Sequence, residues 1–220
     1  FHMSRPNIVY ILADDWGYGD VSCLNADSRI PTPHTDAFAR RAMTFTDAHS
    51  NSAVCTPTRY GVMTGRYCWR SALKEGVLGG YDDLLIEPGR RAVASLLRDA
   101  GYHTACIGKW HLGLTWHRRG DSPGPFRAWD HDPTVDFGQP ASAGAHTVGF
   151  DYSFIMPGSA DISPYVFVEN GRVVDLPVNE VEATSRPAAW RAGVIAPGME
   201  HQTFVLEFTR RAEQYLADRA

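Results

Sequence analysis

Cys55 opens the run Cys55-Thr56-Pro57-Thr58-Arg59, which continues through Tyr60, Gly61, Val62 and Met63 to Thr64-Gly65-Arg66. Pro57 suits the first turn of a helix, and only Gly61 interrupts the stretch to Met63, so Cys55 is expected at a helix N-terminus. Unused backbone N–H groups and the positive end of the helix dipole attract an anion there. Arg59, four residues on, falls on the same face and can offer a planar fork of donors to a tetrahedral oxyanion. A cysteine without such neighbours is ordinarily a buried apolar residue in a helix. That reading would have to treat Pro57, Arg59 and Thr64-Gly65-Arg66 as coincidence. The pattern instead describes a cysteine beside an anion site.

Two other clusters carry chemistry. Asp14 and Asp15 follow an apolar run and place two carboxylates side by side, a repulsion that a bound cation relieves. Oxygen-only donors favour calcium or magnesium over zinc. A bare pair of this kind is more often a solvated turn or helix cap. The segment Gly108-Lys109-Trp110-His111-Leu112-Gly113 offers a compact cation in Lys109. In an extended segment His111, two residues on, would point to the same side. Taken alone, a lysine and a histidine are more often surface residues. The flanking glycines and the apolar run before them argue against that here.

These clusters need elements to position them. Asn7 to Ala13 is a short apolar run rich in β-branched and aromatic residues, expected as a central strand that stops at Asp14. After a Pro31-Thr32-Pro33 turn, Thr35 or Asp36 can cap a helix to about Ala42, and Met43 to Ala48 reads as a second strand leading to the Cys55 helix. A helix from about Arg91 to Ala100 should end at Gly101, with Tyr102 to Gly108 forming another strand. The alternation argues for an α/β fold with a largely parallel central sheet, in which ligands gather at the carboxyl ends of strands. Thr115 to Gly149 lacks periodicity and reads as a long surface excursion able to shape a pocket. Asn170-Gly171, between Tyr165–Glu169 and Arg172–Asp175, signals a type I′ hairpin. Pro177 to Gly198 reads as a linker or loop. Thr203 to about Arg219 carries an apolar stripe at Phe204, Val205, Phe208, Ala212, Tyr215 and Leu216, expected as an amphipathic helix.

The Cys-x-Pro-x-Arg run with its downstream Thr-Gly-Arg, the acidic pair and Gly-Lys-Trp-His-Leu-Gly resemble, in order, the motifs of the type I sulfatases. Arg5-Pro6-Asn7 also opens the first expected strand in the manner common in that family. The resemblance implies an alkaline phosphatase-like fold with helices on both faces of the sheet, and hydrolysis of sulfate esters. It implies that Cys55 is oxidised to formylglycine by a formylglycine-generating enzyme and supplies the nucleophile. Asp14, Asp15 and residue 55 would hold a Ca2+ (less readily Mg2+), Arg59 and Lys109 would spread the charge of the sulfuryl oxygens, and His111 would act as base. Residues 4–220 then read as the N-terminal part of a sulfatase catalytic domain, with Phe1 and His2 as residues added ahead of a natural Met3. The family's second pair of calcium ligands, its leaving-group acid and a further lysine have no counterpart here, so a C-terminal remainder of the same polypeptide is an expected partner. His117, His131, His146 and His201 match no family motif and receive no role.

With 220 residues, 44% of them hydrophobic and 21% charged, the composition is that of a globular protein. A net charge of -4 and a pI near 6.1 give no reason to expect nucleic acid or an anionic membrane as partner. Cys23, Cys55, Cys68 and Cys106 have no Cys-x-x-Cys spacing, which suggests neither a zinc site nor a redox pair. If Met3 is the natural start, a cytoplasmic location is expected; a leader removed beforehand would imply a periplasmic or secreted one. Two alternatives remain on the sequence. One is a phosphodiester or phosphonate monoester hydrolase on the same scaffold. The other is a catalytically incomplete half that needs a partner segment. A sulfate ester carries one negative charge and a phosphate monoester two, so modest positive charge favours the sulfate.

Overall fold

A computed structural model describes residues 5–120, 131–185 and 189–219, and divides the chain into two compact units that meet between His49 and Ser50. In the first unit the only α-helix among the described residues is α1, Pro33–Ala39. It starts earlier than expected, because Pro33 occupies the first turn where its fixed φ and missing N–H cost nothing. Its entry is tied by a polar knot. Thr32 Oγ1 donates to Asp36 Oδ1 (2.8 Å), Cys23 N donates to the same oxygen (3.1 Å), and Ser22 N donates to Thr32 Oγ1 (2.9 Å). The Thr32 hydroxyl leads the donors that hold the Asp36 carboxyl below its ordinary value.

The expected strands Asn7–Ala13 and Met43–Ala48 do not form. Ile8 is 58% exposed and Ile11 87% exposed. An apolar run states a demand for burial, but a strand also needs a neighbour to take its N–H and C=O groups. No strand is present among the described residues of this unit to meet that need.

The second unit holds a four-stranded sheet in the order β1 (Ala105–Lys109), β2 (Tyr152–Met156), β3 (Val168–Glu169), β4 (Arg172–Val173). β1 and β2 are parallel, in a register from Ala105 opposite Tyr152 to Lys109 opposite Met156. The other two ladders are antiparallel, so the protein is α/β with a partly parallel sheet. The β3–β4 turn is the hairpin expected at Asn170-Gly171, both residues having positive φ (48° and 85°).

Helix α2, Cys55–Thr64, ends where Gly65 turns left-handed (φ 67°) and donates its N–H to Gly61 O (2.8 Å). Helix α3, Val93–Asp99, stops at Gly101 (φ 83°), as its sequence indicates. The closing helix α4, Phe204–Ala217, packs against the sheet. Phe204 is buried, Tyr215 stacks on Tyr152 (5.5 Å between centroids) and the Arg211 guanidinium covers the Phe154 ring at 4.3 Å. Of the expected stripe, Val205 (71% exposed) and Leu216 (48% exposed) are not buried.

Two loop expectations are corrected. The segment 177–198 contains an antiparallel pair, β5 (Asn179–Val181) with β6 (Gly193–Ile195), and Val194 and Ile195 are buried. Apart from 121–130, which lies outside the described residues, the expected excursion 115–149 sends several residues into the core while others, such as His117 and Arg119, stay exposed. Trp116, Val135, Ala141 and Ala145 are buried with Leu112 and Leu114 in the main cluster. Arg118 anchors it, donating from Nε to Asp132 Oδ2 (3.0 Å), from Nη1 to Asp83 Oδ1 (2.9 Å) and to Tyr81 O. A sequence without period carries no signal for burial secured by single side-chain anchors. All four cysteines are free thiols. No described helix is long and apolar enough to cross a membrane.

Candidate active site

Cys55 stands in the first turn of α2, behind Val54 in extended conformation (φ -129°, ψ 152°). The chain before it is folded onto the helix: Asn51 Nδ2 donates to Pro57 O (2.8 Å) and Thr58 Oγ1 to Ser52 O (2.8 Å). This approach explains the glycine in the helix, because a Cβ on Gly61 would sit 2.2 Å from Asn51 Nδ2.

The second component arrives from β1. Lys109 closes that strand and its Nζ lies 3.0 Å from Cys55 Sγ. Arg59, one turn along α2, donates from Nη1 to Lys109 O (2.5 Å), tying the guanidinium to the strand exit. Beyond Lys109 the chain is not extended as expected. Trp110 N donates to Met156 O (3.0 Å), His111 N to Pro157 O (3.0 Å), and His111 takes a left-handed φ of 52°. Gly113 follows at φ 80°, where a Cβ would stand 2.0 Å from Asp83 O, so no larger residue fits.

His111 is 1% exposed and its ring atoms are differentiated. Nε2 faces Leu78 O at 2.7 Å, and a carbonyl only accepts, so Nε2 carries the proton. Nδ1 therefore presents its lone pair, buried and without a hydrogen-bond partner among the described residues. Burial, then the Lys109 and Arg59 charges, push the imidazole down to about 4 against the Leu78 hydrogen bond, leaving it neutral near pH 7.

Thr56 joins the pieces. Its hydroxyl is wholly buried, donates to His111 O (2.9 Å) and accepts from Leu78 N (3.2 Å). One hydroxyl thus fixes both the backbone of His111 and the residue whose carbonyl orients its ring. Sequence reasoning missed this role, since a threonine between Cys55 and Pro57 gives no sign of what it reaches. It also missed the anchor for Arg66. Glu87 accepts from Tyr60 OH (2.8 Å) and pairs with Arg66 (3.4 Å) and Arg90 (3.4 Å), holding the far end of α2. Among the other thiols, burial pushes Cys106 up to about 12 and Cys68 upward, which keeps both protonated.

Cys55, Arg59, Lys109 and His111 therefore come together in the second unit, as their motifs indicate. Asp14 and Asp15 lie in the first unit, in an exposed bend with Asp15 left-handed (φ 55°). Their hard oxygen donors are of the type a calcium ion takes, although no group of three or more His, Cys, Asp or Glu suited to a metal is assembled among the described residues. At residue 55 the fit to an oxygen-bearing group is direct: an ammonium at hydrogen-bond distance from Sγ would equally donate to an oxygen there.

An α/β scaffold with a partly parallel sheet and a cysteine beside a lysine ammonium at a helix start belongs to the class of alkaline phosphatase-like folds. The Sulfatase family profile matches residues 6–161. An N-acetylgalactosamine-6-O-sulfatase of Bacteroides thetaiotaomicron is 42% identical over 176 residues, 80% of this chain and 31% of that protein. Steryl-sulfatase of Homo sapiens is 40% identical over 123 residues, 54% of this chain and 21% of that protein. A solved structure described under metabolism of multiple glycosaminoglycans by Bacteroides thetaiotaomicron superposes with a TM-score of 0.78 at 30% identity, covering 97% of this chain and 48% of that one. The chain belongs to the sulfatase family. It spans under a third of the length of these two curated relatives.

Proposed function

We propose that the protein carrying this chain hydrolyses sulfate esters of saccharides, with residue 55 as nucleophile. The observation that supports this most directly is the Lys109 ammonium 3.0 Å from Cys55 Sγ, with Arg59 held beside the same strand exit. Oxidised to formylglycine by its generating enzyme, residue 55 would supply a hydrated aldehyde oxygen as the attacking group. Lys109 orients that oxygen by donating to it. Lys109 and Arg59 present fixed positive charge to the sulfuryl oxygens, stabilising negative charge as it builds during in-line displacement. His111 takes a proton at Nδ1, the nitrogen that the Leu78 carbonyl leaves unprotonated. The α2 N-terminus adds partial positive charge at no reorganisation cost.

Asp14 and Asp15 are the carboxylates we assign to a divalent cation, Ca2+ before Mg2+. When bound, such an ion supplies Lewis acidity that lowers the pKa of an oxygen nucleophile. The remaining ligands and the leaving-group acid are assigned to a C-terminal remainder of the polypeptide. The saccharide substrate is suggested by the name of the N-acetylgalactosamine-6-O-sulfatase, the 42% identical relative.

The test is parallel turnover of an aryl sulfate and a bis-aryl phosphodiester by the full-length protein matured with its formylglycine-generating enzyme. Sulfate hydrolysis should dominate and vanish in Cys55→Ser, and the intact mass should show residue 55 short of one sulfur and two hydrogens and richer by one oxygen. Preferred phosphodiester cleavage, or full activity with an unmodified thiol, would overturn the proposal.

A further inference from the structure

A base at His111 has to gain positive charge where two cations already stand. Besides burial and the Leu78 hydrogen bond, the groups that act on its ring are Lys109 from β1, Arg59 from α2 and Asp161 from the turn after β2, and of these three only Asp161 is negative. Asp82, four residues beyond Leu78, is buried and its carboxylate accepts from Gly79 N (2.7 Å). Asp161 is placed by local hydrogen bonds. His111 N donates to Pro157 O (3.0 Å), which sets the segment after β2 against the histidine, and Ile162 N donates to Ser159 O (3.0 Å), which turns that segment at Asp161. Both carboxylate oxygens are held: Ser159 Oγ donates to Oδ1, and Arg191 Nη1 donates to Oδ2 (2.6 Å). Arg191 N also donates to Asp161 O (3.1 Å), so the backbone joins the two residues independently of their ion pair. Burial would raise the Asp161 carboxyl, but the Ser159 hydroxyl and the Arg191 guanidinium hold it below its ordinary value, and it is ionised near pH 7.

We propose that Asp161 is a positioning residue that acts through His111: its carboxylate is the counter-charge for the imidazolium formed when His111 takes a proton, and Arg191 limits how much of that charge the ring feels. This rests on the role of base given to His111 above. The proton arrives at Nδ1 while Nε2 keeps its own on Leu78 O, so the ring gains one full positive charge. Lys109 and Arg59, placed to meet the sulfuryl oxygens, raise the cost of that charge inside a buried site. A fixed carboxylate at the exit of the neighbouring strand offsets the cost without displacing either cation. It needs no hydrogen bond to the ring, because the interaction is between net charges. The Asp161 and Arg191 side chains are 43% and 48% exposed, so water and salt screen them. The coupling is therefore modest and depends on ionic strength.

The experiment compares the full-length protein with its Asp161→Asn and Arg191→Gln variants. Both substitutions break the same ion pair, but one removes the negative charge and the other uncovers it. The first readout is an NMR titration of the His111 ring in histidine-labelled protein, the signal identified by its loss in His111→Gln. The midpoint should fall in Asp161→Asn and rise in Arg191→Gln, each by about 0.3 to 1 on the pH scale at low salt, and both shifts should shrink in 0.5 M salt to about half or less. The second readout is the acid limb of kcat against pH for an aryl sulfate, which should move in the same two directions, with kcat near pH 7 lowered about threefold or more in Asp161→Asn. Midpoints that stay put, or that move the same way in both variants as a merely structural ion pair would make them, overturn the proposal. Shifted midpoints beside an unmoved kcat limb overturn the part given to Asp161 in the reaction. Opposite shifts in a protein that turns over no sulfate ester would support the coupling of Asp161 to His111 and overturn the proposed function.

Discussion

Replacing Thr56 by valine tests how the site is assembled. The exchange keeps the β-branched shape and deletes one hydroxyl that serves two backbone groups, His111 O at 2.9 Å and Leu78 N at 3.2 Å. Both groups belong to residues at most 1% exposed, so water cannot replace the lost partner. Stranding a buried donor or acceptor costs about 1–3 kcal/mol each, and relief from burying the hydroxyl offsets part of that. We expect Thr56→Val to destabilise the protein by about 2–4 kcal/mol. Thr56→Ser keeps the hydroxyl, removes one methyl and should cost about 1 kcal/mol. Because Leu78 O also accepts from His111 Nε2, the valine variant should misplace the imidazole and lower kcat by at least about tenfold. Urea unfolding of the parent and both variants, read with sulfate turnover below the unfolding transition, gives the answer. A valine variant within about 0.5 kcal/mol of the parent, or a serine variant as impaired as valine, would refute the role given to this hydroxyl.

His111 should make stability depend on pH in a defined window. Its folded pKa is lowered to about 4 from an ordinary 6.5, so between those values the unfolded chain binds a proton that the folded one does not. Stability therefore falls as pH drops from about 6.5 to about 4, by up to about 3 kcal/mol relative to His111→Gln, and the difference levels off below that. Unfolding curves of the two proteins that stay parallel across pH 7 to 4 would contradict the burial argument. Asp14→Asn with Asp15→Asn should weaken Ca2+ binding by the full-length protein at least about tenfold in a calorimetric titration. Unchanged affinity would move the ion elsewhere.

The sequence by itself determined the family motifs and their local supports. Cys55, Arg59, Lys109 and His111 were legible because they stand in short local motifs, and the structure brings Lys109 Nζ to 3.0 Å from Cys55 Sγ. Gly65, Gly101 and Asn170-Gly171 were legible because positive φ is a local demand that few residues meet. Tertiary structure decided everything that depends on a partner distant in the chain. It left Asn7–Ala13 without strand pairing among the described residues, although its apolar run reads as a central strand. It buried the aperiodic segment around Trp116 and Arg118 through Asp83 and Asp132. It also fixed the His111 tautomer through a carbonyl 33 residues away, and bound that arrangement to α2 through Thr56. Hydrogen-bond partners between remote segments leave no trace in periodicity or composition, because a backbone carbonyl is the same group whichever residue carries it.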